Sequence, residues 1–221
     1  MVSVQHGTIT DDTQAPSYFS PSSEAYLVGS LFGSLGYIIA YPDYIGYGAS
    51  NALPHPYEHR ESLASASLDM IRAAREFLAE QSGITWDNRL YLTGYSEGGF
   101  ATMSLQKMIE EKTGTEFNLR ASSCGAGAYD KTATMRYLVS QPTSGSASNN
   151  SLYLWVLLTY DRLYGIKRPL TQYFKQPYAG LIQQQGFQAR IDVSLHTTFT
   201  DSFVKGILAG TDTPFINAVK D

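Results

Sequence analysis

The chain has 221 residues, of which 43% are hydrophobic and 16% charged, and a formal net charge of −4. That balance suits one globular domain or a domain with an appendage, and excludes a disordered tail, a coiled coil and a collagen-like chain. No run approaches the roughly 18 uninterrupted apolar residues of a membrane-spanning helix, the charge offers nothing to nucleic acid or an anionic membrane surface, and a single cysteine, Cys124, excludes an intrachain disulfide and a multi-cysteine metal site.

Val2-Ser3-Val4-Gln5 alternates as a strand from the outset, and nothing in these 221 residues reads as a signal peptide. His6-Gly7-Thr8 reads as the turn that ends it, and residues 9–22, polar with two prolines, as a loop. Ser22 or Ser23 then caps a helix from about Glu24 to Ser34, stopped by Gly36. Tyr37 to Tyr41 is a short apolar run, read as a buried strand, and Pro42 to Pro56 is a loop.

A long helix is expected from about Glu58 to Gln81, because Leu63, Ala66, Met70, Ala74, Phe77 and Leu78 recur at helical spacing and Ser82-Gly83 stops it. Arg89 to Thr93 is the next strand, Gly98 to Lys112 the next helix, and Leu119 to Ala126 a weaker strand. Strict alternation of strands and helical crossovers indicates a parallel sheet in an α/β fold.

Gln141 to Ser151 reads as a Ser/Asn/Gly-rich loop, and from Leu152 onward the segments read as helices broken at Pro169, Pro177 and Pro214. Residues 1–130 are therefore expected to form the α/β core and 131–221 a helical cap.

The chemistry concentrates in Gly94-Tyr95-Ser96-Glu97-Gly98, a G-x-S-x-G motif between an expected strand and an expected helix. So sharp a turn strains the serine backbone, demands small residues two positions to either side, and holds the hydroxyl proud of the sheet. The N–H of Glu97 then falls at a helix N-terminus, where unpaired donors and the macrodipole favour a developing oxyanion. The bland alternative is a chance match.

QHGT, then PDYIGYGAS with HPY shortly after, then LDMIRAAREF and LYLTGYSEGGF together resemble the α/β-hydrolases of the secretory lipase-like group, esterases and lipases with a helical cap. The resemblance covers about residues 1–130; beyond that only the placement and helical character are similar. It implies an α/β-hydrolase-type, mostly parallel sheet lacking its first and last strands. It also implies Ser96 as nucleophile, oxyanion N–H groups from Glu97 and Thr8 with Gly7 allowing close approach, ester substrates, and a secreted or envelope location. His6 would then be structural, bonding nearby backbone. Asp43 reads as a structural acceptor of backbone N–H bonds. Tyr44 and Tyr47 either line an acyl pocket or simply pack the loop.

A serine nucleophile needs a base and an orienting carboxylate. Only His196 follows Ser96 in the chain, with Asp192 one turn earlier if that segment is helical. The alternative is a plain cap histidine. Asp130, past the end of the strand carrying Cys124, is a candidate displaced acid, while Cys124 itself reads as a small buried core residue. His55 and His59 flank the start of the long helix but stand in the wrong chain order. No His/Asp/Glu cluster has metal-ligand spacing and there is no phosphate-binding loop, so no cofactor or metal is expected. The triad acid and histidine are expected outside this segment, or from a partner chain or second copy that completes the sheet. The competing functions are an amidase or peptidase on the same fold and a non-catalytic binding protein with a degenerate hydrolase fold.

Overall fold

The computed structural model describes residues 1–140 and 146–220. The chain divides into two compact units, Met1–Tyr129 and Asp130–Asp221.

The first unit is built on a four-stranded sheet: β1 (Val2–Gln5), β2 (Ile39–Ala40), β3 (Arg89–Tyr95) and β4 (Asn118–Gly125), in the spatial order β2-β1-β3-β4. Every neighbouring pair is parallel. This is the α/β architecture expected from strand–helix alternation. All four residues of β1 are buried, as a central strand with both faces covered requires. Its pleat sends Val2 and Val4 to a cluster with Ala25 and Tyr41 on one face. Gln5 points to the other face, where its Oε1 accepts from Thr102 Oγ1 at 2.9 Å.

That second face is covered by α2 (Arg60–Ala79) and α3 (Glu97–Lys112). Leu68 and Ile71 of α2 and Leu105 and Met108 of α3 join Leu90 and Leu92 of β3 in one apolar cluster. The helix expected from Glu58 begins two residues later, because Glu58 sits at φ 49° and His59 is the cap. The segment expected as a helix from Glu24 opens as a π-helical turn, Ala25–Gly29, and continues as α1 (Ser30–Ser34), with Ser23 Oγ accepting from Tyr26 N–H at 3.3 Å.

β2 is shorter than the apolar run 37–41 suggested, since only Ile39 and Ala40 pair in register with Val2 and Ser3. Cys124 was expected in the core and is instead half-buried. It lies on β4, which among the described residues pairs with β3 alone and leaves one edge open.

The second unit is helical: α4 (Lys131–Ser140), α5 (Ala147–Leu163), α6 (Leu170–Tyr173), α7 (Tyr178–Gln185), α8 (Leu195–Thr198), α9 (Asp201–Ala209) and α10 (Thr213–Lys220). Of the loop expected over 141–151, residues 141–145 lie outside the described residues. Its later part is helix, with Ser146 Oγ accepting from Asn149 N–H, so a run of small polar residues serves as a helix start. Pro214 does not break a helix but sits in the first turn of α10, where its missing N–H costs nothing. Tyr173, Phe203 and Phe215 meet edge to face, with Tyr173 and Phe203 5.0 Å apart at 88°. Arg168 forks onto the Asp212 carboxylate at 2.6 and 2.7 Å and lies 4.8 Å above the Tyr173 ring.

Candidate active site

The register aligns Gln5 with Gly94 and Gly94 with Cys124, so the turns after β1 and β3 leave the same edge of the sheet side by side. In parallel α/β sheets, ligands bind at this carboxyl edge. Ser96 occupies the junction of β3 and α3 with φ 59° and ψ −122°, a conformation rare for any residue with a Cβ. Its N–H donates to the Gly125 carbonyl at 2.8 Å, which pins the turn to the end of β4.

The glycines on either side are demanded by close backbone. A Cβ on Gly94 would lie 2.6 Å from the Gln5 carbonyl oxygen, and one on Gly98 would run into that same oxygen and stand 2.7 Å from the His6 carbonyl. The backbones of β1, β3 and α3 converge here without room for a methyl group.

Beyond Ser96 the N–H groups of Glu97, Gly98 and Gly99 fall in the first turn of α3. The first donor satisfied from within is Phe100 N–H, which reaches the Ser96 carbonyl at 3.1 Å. Gly7 packs beside the serine: a Cβ there would lie 3.9 Å from Ser96 Cβ. The Gly7 N–H is already held by Glu24 Oε1 at 3.1 Å, and Glu24 Oε2 accepts from Tyr41 OH at 3.0 Å. The Thr8 N–H makes no hydrogen bond among the described residues, while Thr8 Oγ1 meets Tyr57 OH at 2.8 Å.

His6 is buried, with Nδ1 2.7 Å from the Gly7 carbonyl and Nε2 3.1 Å from the Asp43 carbonyl, so it braces the turn through backbone. Asp43 Oδ1 accepts from Ser17 N–H at 2.7 Å. Tyr44 stacks on His6 with ring centroids 4.1 Å apart and donates to the His6 carbonyl at 3.2 Å, and Tyr47 donates to the Ile9 carbonyl at 2.6 Å. Both tyrosines are buried loop packing. Burial, and after it the Glu97 charge, pushes the phenols of Tyr44, Tyr47 and Tyr57 well above the ordinary tyrosine range. All three therefore remain protonated at neutral pH.

One pairing went unseen in the sequence. His55 Nε2 lies 2.7 Å from Glu97 Oε1, with Nδ1 2.7 Å from the Ile45 carbonyl. A histidine before the long helix and a glutamate after the serine are 42 positions apart, and no local pattern joins them. The faint signal was an acidic residue directly after the serine, at the start of a helix.

Asp130 and His196 belong to the second unit. Asp130 Oδ1 accepts from Ala133 N–H at 2.8 Å, capping α4. His196 Nδ1 is bonded to the Val139 carbonyl. Asp192 precedes α8 rather than sharing a helix with His196, and pairs instead with Arg190 at 3.2 Å. Among the described residues no group of three His, Cys, Asp or Glu is arranged to hold a metal ion, and no helix is long and apolar enough to cross a membrane.

A parallel sheet with helices on its faces, and a strained serine between strand and helix at its carboxyl edge, define an α/β-hydrolase-type core. The sequence model of the secretory lipase family matches residues 17–154. The chain belongs to that family. No curated protein matches it. Among solved structures it is similar to a protein from Legionella pneumophila provisionally named a hydrolase, at 26% identity and a TM-score of 0.83, covering 100% of this chain and 60% of that one. A rice cell wall degrading esterase, LipA from Xanthomonas oryzae, shares the fold at 24% identity and a TM-score of 0.76, covering 99% of this chain and 61% of that one. The chain thus spans about 60% of the length of the solved structures it matches.

Proposed function

We propose that the protein is a serine hydrolase of carboxylic esters that works through an acyl-enzyme on Ser96. The observation that carries this reading is the Ser96 backbone, at φ 59° and ψ −122° between β3 and α3, with the Gly7–Thr8 turn packed against it. Backbone strain of this kind costs on the order of 1–3 kcal/mol and is retained where the rest of the structure enforces it, commonly at functional sites.

Ser96 Oγ attacks the ester carbonyl. The negative charge that develops on the carbonyl oxygen is met by the N–H groups of Glu97, at the start of α3, and of Thr8. The general base takes the Ser96 proton and passes it to the leaving oxygen as the ester C–O bond breaks, so that the alcohol departs and leaves an acyl-serine, which water then hydrolyses to the acid. The family assignment and the esterase neighbour support an ester over an amide. They also support export from the cell as the setting. The helical unit corresponds to the cap region of such an enzyme.

The general base and its carboxylate come from sequence beyond these residues, or from a second chain. Each histidine in the serine's unit is occupied otherwise: His6 on two backbone carbonyls, His55 on Glu97, and His59 on Ser62 Oγ at 2.7 Å as the cap of α2. Asp130 and His196 are the alternative pair within this chain.

The test is hydrolysis of nitrophenyl esters and of the matching anilides by the protein at its full natural length. Ester turnover that Ser96→Ala abolishes, with anilides slower, is expected. Ester turnover that survives Ser96→Ala overturns the nucleophile, and anilide preference overturns the bond.

A further inference from the structure

The two proposed oxyanion donors come from distant parts of the chain, Thr8 after β1 and Glu97 after β3. Yet one short segment holds the side chains of both. His55 Nε2 bonds Glu97 Oε1 at 2.7 Å, and two residues on Tyr57 OH bonds Thr8 Oγ1 at 2.8 Å. We propose that His55-Pro56-Tyr57 is a strut that fixes the separation and orientation of the Glu97 and Thr8 N–H groups. His55 and Tyr57 are thereby positioning residues for catalysis. The proposal rests on the reading of Glu97 and Thr8 given above.

The segment is built to be stiff. His55, Pro56 and Tyr57 are all buried, and the proline ring locks its own φ. The His55 ring is held from its other side by the Ile45 carbonyl at 2.7 Å and packs on Tyr47 with centroids 4.7 Å apart. The turn that carries Ile45 closes directly on His55. Gly46, at φ 95°, approaches so near that a Cβ would stand 2.6 Å from the His55 nitrogen.

The energetic logic follows from how oxyanion donors act. Their worth depends on lying at hydrogen-bond distance from the place the oxyanion will occupy, not from the ground-state carbonyl. A displacement of about 1 Å originating away from the reacting atoms can cost up to two orders of magnitude in rate. Each donor needs its own turn held, and the pair needs a common reference. Thr8 Oγ1–Tyr57 OH and Glu97 Oε1–His55 Nε2 supply that reference through three consecutive residues.

The experiment uses the full-length protein with Tyr57→Phe, which keeps the ring and removes the hydroxyl; Thr8→Val, which removes the same bond from the other side; and the double variant. Each single variant is expected to lower kcat about tenfold with KM within about twofold, and to slow Ser96 phosphonylation by a fluorophosphonate in parallel. The double variant should be no slower than the worse single, because both changes delete one bond. Melting temperatures close to wild type show that the fold is intact. Wild-type kcat in either single variant, or a double variant whose loss is the product of the two singles, overturns the strut. A lower kcat accompanied by an equal loss in melting temperature for both singles also overturns it, since the bond is then merely structural. Failure of the underlying reading is seen separately, as wild-type protein whose Ser96 takes no fluorophosphonate at all.

Discussion

His55 Nε2 stands 2.7 Å from Glu97 Oε1, with the two side chains 3% and 0% exposed. Glu97 Oε2 has no hydrogen-bond partner among the described residues, so the imidazole is the carboxylate's one hydrogen-bond partner there. The Ile45 carbonyl can only accept, which places a proton on Nδ1. The residue after Ser96 is thus anchored by a buried polar pair whose two members depend on each other.

His55→Leu leaves the Glu97 carboxyl buried without a partner, and removing one member of a buried pair costs about 3–5 kcal/mol. Glu97→Leu, which removes the isolated carboxylate as well, is expected to cost less when made together with His55→Leu than His55→Leu costs alone. Urea unfolding of the three variants checks this, and additive losses contradict it.

Gly98→Ala drives a methyl group into the Gln5 carbonyl where β1, β3 and α3 converge. Overpacking at a tight backbone crossing costs roughly 1–3 kcal/mol. Because the displaced segment carries Ser96, phosphonylation should fall by more than stability does. Rates and melts measured on the same preparation separate the two.

The α/β class, the four strands and the serine turn were legible because each rests on local pattern: alternation in Val2–Gln5, helical spacing in α2, and small residues flanking Ser96. What escaped depends on the third dimension. Cys124 reads as a core residue in sequence, yet β4 is an edge strand among the described residues. Ser146 reads as loop because serine and asparagine favour turns, the same property that makes serine a helix cap. The His55–Glu97 and Thr8–Tyr57 contacts join residues 42 and 49 positions apart, and it is the parallel pairing of β2, β1 and β3 that brings the loops after these strands together.

In the helical unit Phe203 is 2% exposed and touches Tyr173, Phe199 and Phe215. Phe203→Ala should destabilise it by about 3–5 kcal/mol, the range for buried phenylalanine. Faster amide hydrogen exchange across α6, α9 and α10 is the expected readout.

Asp12 ties the loop before α1 to the turn at residues 48–51. It accepts from Tyr18 OH at 2.6 Å, Asn51 Nδ2 at 3.1 Å and Gly48 N–H at 2.7 Å. The Tyr18 bond first, then those from Asn51 and Gly48, hold its carboxyl below the usual aspartate range. A carboxyl depressed by folding stabilises at pH above its unfolded value, about 3.9, and loses that contribution as the pH falls through the folded value. The stability gap between wild type and Asp12→Asn should therefore shrink on acidification below about pH 4. A gap that is flat with pH contradicts the assignment.

The most direct measurement is the site of covalent capture. The full-length protein is treated with a fluorophosphonate, and the adduct is mapped by peptide mass spectrometry. A single adduct on Ser96, with esterase activity lost in step with its formation, is the predicted result. Activity lost with the adduct on another residue, or esterase activity that persists with Ser96 fully modified, contradicts Ser96 as the nucleophile.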